Sequence, residues 1–147
     1  MQVKHYMVRS VATVRDRDTM GEALATMVKH RRQALLVVDE NETYVGEITS
    51  FTLARLLLPS EQDMARATQQ PEFETINDVD DRITPHLSRH VADFAEDDVP
   101  IMYPETPLVE AIKLLAEGAL RLPVVEPETK KLLGAISSLT VLRRYQF

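Results

Sequence analysis

Two matched pairs of side chains in this chain could bind an anion. Thr49 and Ser137 each follow an apolar segment and precede a predicted short helix, where a hydroxyl and the free N–H groups of a helix N-terminus receive negative charge. Arg55 and Arg143 each come six residues later, and a guanidinium can bind a phosphate through two hydrogen bonds. Helix capping by the hydroxyls and a solvated helix face for the arginines explain the same residues without a ligand, so both interpretations stay open.

A pair of histidines suggests a second, weaker chemistry. His86 and His90 are four residues apart, with Asp78, Asp80 and Asp81 before them. On a helix the two imidazoles would share a face and could bind a divalent metal ion, although the stricter His-Glu-x-x-His pattern does not occur. An exposed helix leading into the second half of the chain is the simpler interpretation, and we expect no metal site.

Catalysis is the least supported class of function. The chain has no cysteine, which excludes thiol nucleophiles, disulfides and Cys-type zinc or iron–sulfur sites. Its four glycines are too widely spaced for a GxGxxG dinucleotide fingerprint or a phosphate-binding P-loop. A Gly-x-Ser-x-Gly nucleophile elbow does not occur either, and we expect a protein that is not an enzyme.

The elements that must position the hydroxyls and arginines occur twice in the sequence. Each copy has apolar residues at helical spacing, then an apolar strand ending in an acid, then a strand running through a hydroxyl pair into a short helix. The matched segments are 20–28 with 108–116, 36–39 with 123–126, and 46–53 with 134–141. Asp18 and Thr106 stand where the helix N-caps are expected. Two copies this small should share one core.

Each copy predicts the order strand, helix, strand, strand, helix, with residues 12–14 and 99–102 as the entering strands. In this order, and twice over, the segments resemble the cystathionine-β-synthase (CBS) domain pair, or Bateman module. The resemblance rests on 18–24, 34–39 and 45–50 in the first copy and on 107–111, 122–125 and 133–138 in the second. It implies an α/β (α+β) fold class of two tandem CBS domains, each β-α-β-β-α, packed with pseudo-twofold symmetry.

The resemblance also implies a function. Members of the family are regulatory modules whose clefts bind adenosine-containing ligands such as AMP, ADP or ATP, and which often form homodimers. Thr49, Arg55, Ser137 and Arg143 would then contact the ligand. The signal would pass to a regulated protein partner.

Further basic residues fit the same interpretation. Arg31 and Arg32 lie in the turn before a predicted core strand, where the family often keeps a phosphate-contacting basic residue, and Arg121 is the nearest equivalent in the second copy. Surface solubility explains the pair equally well. If a ligand site is present, the arginine pair of the first copy predicts an asymmetric pocket.

The sequence departs from the family at one position in each copy. The family usually places a ribose-binding aspartate in the pattern Gly-x-x-[Ser/Thr]-x-x-Asp, and Thr52 and Thr140 stand there instead. A carboxylate can accept both ribose hydroxyls, whereas a threonine has a single rotatable hydroxyl. The loss should weaken binding at least about tenfold per site. The alternative function is therefore a dimerisation or docking scaffold whose clefts hold no nucleotide.

We expect CBS domain 1 over residues 1–58, an acidic polar linker with a helical stretch near 60–69 over 59–87, and CBS domain 2 over 88–147. The net charge is -6, but residues 72–98 alone carry -7, so the net charge does not argue against an anionic ligand. A nucleic-acid partner would need a strongly basic domain and is not expected. Glu47 interrupts an apolar strand whose second copy has Ala135, and it could face a cleft, an oligomer surface or an exposed edge.

The sequence shows no targeting segment. Its first residues lack the apolar region of a signal peptide, and no apolar stretch approaches the roughly 18 residues of a membrane span. We therefore expect a cytoplasmic chain without membrane insertion. No effector domain follows the last predicted helix, so the output would pass to a partner in trans, unless the chain is an excised piece of a longer protein.

Overall fold

Both predicted repeats are present in the computed structural model, which describes residues 1–143 and 145. The first repeat contains β1 (Thr13–Arg15), α1 (Met20–His30), β2 (Ala34–Val38), β3 (Tyr44–Thr49) and α2 (Ser50–Leu56). The connecting segment contains α3 (Glu61–Gln69) and α4 (Ile76–Leu87). The second repeat contains α5 (Leu108–Ala116), β4 (Leu122–Val125), β5 (Leu132–Ile136) and α6 (Ser138–Leu142). The predicted second domain includes residues 144, 146 and 147, which lie outside the described residues.

The two sheets have the same plan but not the same number of strands. In the first repeat, β1 runs parallel to β2 and β2 runs antiparallel to β3. In the second, β4 and β5 pair antiparallel, and the entering strand predicted at 99–102 is reduced to one parallel bridge between Met102 and Val124. The register of the antiparallel pair shifts at the same place in both, at Val37/Val38 and at Val124/Val125.

The central strands form where the sequence has short apolar runs. Every residue of β2 and of β4 is buried, as expected for strands that are covered on both faces. A third buried cluster joins the repeats, with Leu36 and Tyr44 from one sheet and Val125 and Ala135 from the other. The two copies therefore share apolar contacts, as predicted from their small size.

The helix N-caps lie one residue beyond the predicted positions. Thr19, not Asp18, caps α1, because its hydroxyl accepts from the Glu22 amide at 3.2 Å while the Glu22 carboxylate accepts from the Thr19 amide at 3.1 Å. A glutamate three residues after the cap completes this capping box. Asp18 instead accepts from the Arg15 amide at 2.9 Å. Pro107 occupies the N-cap of α5, and the prediction for Thr106 was also wrong.

A segment from the start of the chain completes the second repeat. The 3₁₀ turn Val3–His5 buries Val3, which packs in one cluster with Leu122 and Ile136. Val8 then forms an antiparallel bridge to Ala135 on β5, with an N–O distance of 2.9 Å in each direction. The N-terminal segment therefore belongs to the core of the second repeat.

The corresponding segment before the second repeat completes the first. The 3₁₀ turn Val91–Asp93 buries Val91 in the cluster that includes Leu35 and Ile48. Glu96 forms the matching antiparallel bridge to Glu47 on β3, again with 2.9 Å in each direction. The two repeats thus exchange their leading segments.

Glycine makes both bridges possible. A Cβ at Gly46 would lie 2.7 Å from the Glu96 carbonyl oxygen, and a Cβ at Gly134 would lie 2.1 Å from the Val8 carbonyl oxygen. Both distances are far below van der Waals contact, and each neighbour is backbone that cannot rotate away. The glycine that both repeats share therefore allows the backbone of the leading segment to lie directly against the strand.

The connecting segment is ordered by packing. The predicted helical stretch near 60–69 is α3, whereas α4 was not predicted. Arg82 on α4 donates through Nε to the Leu57 carbonyl at 2.7 Å and pairs with Glu74, and α4 packs against α1 and α2. In the described part of the chain, no helix combines the length and the apolar character needed to cross a membrane.

Candidate functional site

The hydroxyls of Thr49 and Thr52 cap α2. Thr49 Oγ1 accepts from the Thr52 amide and Thr52 Oγ1 accepts from the Thr49 amide, both at 3.3 Å. Ser137 and Thr140 cap α6 in the same reciprocal way, at 3.3 and 2.9 Å. Helix capping, the simpler of the two interpretations of these hydroxyls, is therefore what the structure shows in both repeats.

In the first repeat, the Glu96 side chain contacts the caps of α2. Thr52 Oγ1 donates to Glu96 Oε1 at 3.2 Å, and Arg55 Nη2 forms an ion pair with the same carboxylate oxygen. Thr52 is only 6% exposed. We call the group formed by Thr49, Thr52 and Arg55 the first cleft, and one carboxylate oxygen engages both the hydroxyl and the guanidinium of this group.

The second repeat lacks this contact. Thr140 Oγ1 donates back to the Ser137 carbonyl at 2.9 Å, and Arg143 is exposed just after α6. Val8 occupies the bridge position that corresponds to Glu96. Because an aliphatic side chain cannot accept a hydrogen bond, no described residue of the second repeat provides an equivalent of the Glu96 carboxylate at the capping hydroxyls.

A cavity of about 410 Å³ opens between the two repeats. It is lined by residues 31–34 before and at the start of β2, by 119–121 before β4, and by 137–139 at the start of α6. Three guanidinium-bearing residues and one capping hydroxyl meet there: Arg31, Arg32, Arg121 and Ser137. We call this space the inter-repeat cavity.

Arg121 is the most unusual side chain of the cavity. Its Nη1 is buried and has no hydrogen-bond partner among the described residues. Burial lowers the pKa of Arg121, the nearby Arg32 lowers it further, and Glu47 opposes both effects. A buried guanidinium donor without an acceptor, next to a second positive charge, is a costly arrangement that an anion would relieve.

Glu47 is half-buried and lies within electrostatic reach of Arg121. Burial raises its pKa to about 7, with further increases from the carboxylates of Glu96 and Asp98 and a smaller decrease from Arg121. Its Oε2 is also buried without a hydrogen-bond partner in the described part of the chain. Because Glu47 is half-buried and bridges to Glu96, an exposed edge is ruled out, whereas a cleft and an oligomer surface both stay open.

The predicted site residues separate into three groups. Arg31, Arg32 and Ser137 come together in the inter-repeat cavity. Thr49, Thr52 and Arg55 form the first cleft, whereas Thr140 and Arg143 do not line the inter-repeat cavity. Sequence reasoning missed Glu96 as part of a site.

A signal for Glu96 was present in the sequence. The offset of 88 that aligns the repeats extends upstream, where it matches the segment 3–8 with the segment 91–96. Val3 pairs with Val91 and Val8 with Glu96 in this extended alignment. It would have shown that the second copy of the leading segment ends on a carboxylate.

The two histidines do not lie on one helix. α4 ends at Leu87, so His86 is helical and His90 is beyond the helix. The His86 ring packs edge-on against Phe94 at 5.7 Å, and His90 Nδ1 lies 2.8 Å from the Arg17 carbonyl oxygen. Within residues 1–143 and 145, no group of three or more His, Cys, Asp or Glu side chains is placed to hold a metal ion.

The solved structures that match this chain include CBS-domain proteins that cover nearly all of it. CBSX2 from Arabidopsis thaliana, a CBS-pair protein, is 25% identical with a TM-score of 0.75, and the match covers 97% of this chain and 92% of that one. A CBS domain-containing protein of unknown function from Bacillus anthracis is 19% identical with a TM-score of 0.76, covering 98% and 91%. CBSX2 in complex with AMP matches at 23% identity with a TM-score of 0.71, covering 97% and 94%.

A search of curated proteins found no match. The family model for the CBS domain, by contrast, matches this chain twice, over residues 3–59 and 91–146. These two matches cover well over half of the sequence and agree with the duplicated mixed α/β fold. The chain therefore belongs to the CBS domain family and carries two tandem CBS domains.

Proposed function

We propose that this chain is a regulatory module that binds an adenosine-containing nucleotide in the inter-repeat cavity. The phosphate group faces Arg31, Arg32 and Arg121, and the Ser137 hydroxyl lies beside it. The role of the site is binding, and the signal passes to a protein partner in trans.

The observation that carries this proposal is the buried Nη1 donor of Arg121, which has no partner among residues 1–143 and 145. Arg32 and Arg121 line the same cavity, and the charge of Arg32 adds to burial in lowering the pKa of Arg121, a cost that an anion between them would reduce. A phosphate supplies acceptor oxygens for several guanidinium donors at once. The volume of about 410 Å³ falls in the range of about 300–1,000 Å³ typical of small-molecule sites.

The comparison with CBSX2 supports the choice of nucleotide. That protein has been crystallised in complex with AMP, and it shares the tandem fold. In this chain Thr140 stands where the family's ribose-binding aspartate would be, but it does not line the cavity, and its hydroxyl donates to the Ser137 carbonyl. Ribose recognition therefore contributes little, and the phosphate contacts carry most of the affinity.

Isothermal titration calorimetry of the full chain with AMP, ADP, ATP and adenosine tests the proposal. We expect the phosphorylated ligands to bind more tightly than adenosine. Arg32→Ala and Arg121→Met should each lower AMP affinity about tenfold or more, the size of one charged hydrogen bond, and leave adenosine nearly unchanged. Arg9→Ala, at an exposed position outside the cavity, is the control. Absence of heat and of a thermal shift with every nucleotide at millimolar concentration would overturn the proposal.

The second candidate function, a dimerisation or docking scaffold, is favoured by exposed apolar side chains on the helices. Phe51 on α2 and Leu139 on α6 are 59% and 77% exposed, and they are equivalent residues of the two repeats. Exposed apolar residues at equivalent positions of both repeats suit a self-complementary contact between two copies of the chain. We propose that the chain forms a homodimer through these helix faces, whether it is a nucleotide sensor or a scaffold.

Light scattering of the full chain tests the homodimer. We expect twice the monomer mass, and a monomer for Leu139→Asp, whereas Glu128→Asp at an exposed turn should leave the mass unchanged. A monomer at all concentrations contradicts the homodimer. A dimer that binds no nucleotide would favour the scaffold over the sensor.

A further inference from the structure

We propose that the Glu96 carboxylate is an internal occupant of the first cleft, so that the chain binds one nucleotide instead of one in each repeat. The inference rests on the proposed function and assigns Glu96 a role in limiting ligand number. It comes from the contrast between two equivalent positions of the repeats, one with a carboxylate and one with an aliphatic side chain.

The contacts of Glu96 are those that an acidic ligand group would make. Its Oε1 accepts from Thr52 Oγ1 at 3.2 Å and pairs with the Arg55 guanidinium. Thr52 occupies the position of the family's ribose contact, and Arg55 is the cation that follows it. A ligand that entered the first cleft would have to displace the carboxylate from both groups.

The backbone holds Glu96 at this place. Its amide and carbonyl both bond to Glu47 at 2.9 Å, and its carbonyl oxygen lies against Gly46, where even a Cβ would clash. The side chain therefore leaves the strand at a fixed register next to the cleft. The occupant does not depend on a flexible loop reaching the site.

The charge around the first cleft also opposes a second anion. Glu47 bridges to Glu96, and the carboxylates of Glu96 and Asp98 add to the effect of burial in raising the pKa of Glu47. A phosphate arriving at Arg55 would meet this negative charge at short range. In the second repeat, Ala135 and Val8 replace the Glu47 and Glu96 pair, so the corresponding repulsion does not arise.

The stoichiometry of AMP binding tests the inference. Calorimetry of the full chain should give one site, and Glu96→Val, which installs the residue of the equivalent position, should give two. Glu96→Gln keeps a hydrogen-bond acceptor for Thr52 but loses the charge, so its additional site should be weaker than that of Glu96→Val. Asp97→Val, at an exposed neighbouring position, is the control and should retain one site.

A further variant identifies the new site. Adding Arg55→Ala to Glu96→Val should return the count to one, whereas adding Arg143→Ala should leave it at two. Two sites in the unchanged chain, or one site in both Glu96 variants, would overturn the inference while leaving the proposed function in place. No site in the unchanged chain but one in Glu96→Val would overturn binding in the inter-repeat cavity and support the role of Glu96. No site in any variant would overturn both.

Discussion

The two repeats have the same backbone plan but different chemistry at one pair of positions. The bridge on β3 joins Glu47 to Glu96, and the equivalent bridge on β5 joins Ala135 to Val8. Both bridges need a glycine beside them for close approach. Backbone packing therefore constrains the duplicated fold at this point, whereas the side chains on the bridges can diverge, so that one bridge carries two carboxylates and the other two aliphatic side chains.

The largest expected effect concerns the shared glycines. Gly134→Ala and Gly46→Ala should each lower the free energy of unfolding by at least about 3 kcal/mol, because the new Cβ would overlap a backbone oxygen that cannot move without breaking the bridge. The overlap is closer at Gly134, whereas at Gly46 the positive φ of 155° adds backbone strain to the overlap, so the two losses should be comparable. Urea denaturation measures both.

The size of the loss at each glycine tests the close approach. A loss no larger than about 1 kcal/mol at either position, the ordinary difference between glycine and alanine in a helix, would contradict it. Ala25→Gly, on the exposed face of α1, is a control for ordinary effects of glycine and should cost only about 1 kcal/mol.

The next effect tests the exchange of leading segments. Val3→Ala and Val91→Ala should each cost about 2 kcal/mol, the price of removing two buried methyl groups with incomplete collapse of the space. Val3 packs in the second repeat and Val91 in the first. Native-state hydrogen exchange should therefore show weakened protection of β4 and β5 in Val3→Ala, and of β2 and β3 in Val91→Ala. The reverse assignment would rule out the exchange.

A smaller effect distinguishes the acidic bridge from the neutral one. The pKa of Glu47 is raised from 4.5 to about 7, so between these values the folded chain binds more protons than the unfolded chain. The contribution of Glu47 to stability is therefore highest at low pH, falls as pH rises through this window, and is constant above it. Relative to the unchanged chain, Glu47→Gln should gain on the order of 1 kcal/mol between pH 5 and 8, a value reduced for the partial solvent exposure of the group.

Urea denaturation at pH 5 and pH 8 measures this difference. Glu40→Gln removes an exposed carboxylate from the same repeat and should change stability equally at both values. If Glu47→Gln behaved like Glu40→Gln, the half-buried position of Glu47 beside Glu96 would be contradicted.

The smallest effect concerns the arginines that follow the caps. Arg55 pairs with Glu96 although its side chain is largely exposed, so Arg55→Ala should cost about 0.5 kcal/mol, as is typical for surface ion pairs. Arg143→Ala, at the exposed equivalent position, should cost less. A double-mutant cycle of Arg55→Ala with Glu96→Gln measures the pair directly, and a coupling of zero would show that the contact contributes nothing to stability.

The sequence was sufficient to predict the fold because each repeat is locally consistent. The helical spacing of 20–28 and 108–116 and the apolar runs of β2 and β4 all indicate the structure that forms. The N-cap of α1 was misplaced by one residue, since Asp18 and Thr19 are both good caps and only the Glu22 partner distinguishes them. α4 escaped prediction because it is polar, contains Pro85 and gains its order from packing against the first repeat.

The candidate site was only partly predictable. Arg31, Arg32 and Ser137 were found from local position in the repeat, and the structure brings them together. Their shared cavity depends on how the two repeats pack, which no local pattern contains. Glu96 lies 44 residues from Thr52, and it reaches that hydroxyl only because the leading segments are exchanged.

The exchange of leading segments has a consequence for the order in which the chain can fold during synthesis. The first repeat cannot complete its core until the segment 91–96 has left the ribosome, and the segment 3–8 has no partner until β5 has been made. Domain-by-domain folding from the N-terminus, the usual route for tandem units, is therefore blocked here. The first half of the chain emerges with its apolar strands incompletely covered, and both repeats complete their cores in one late folding step.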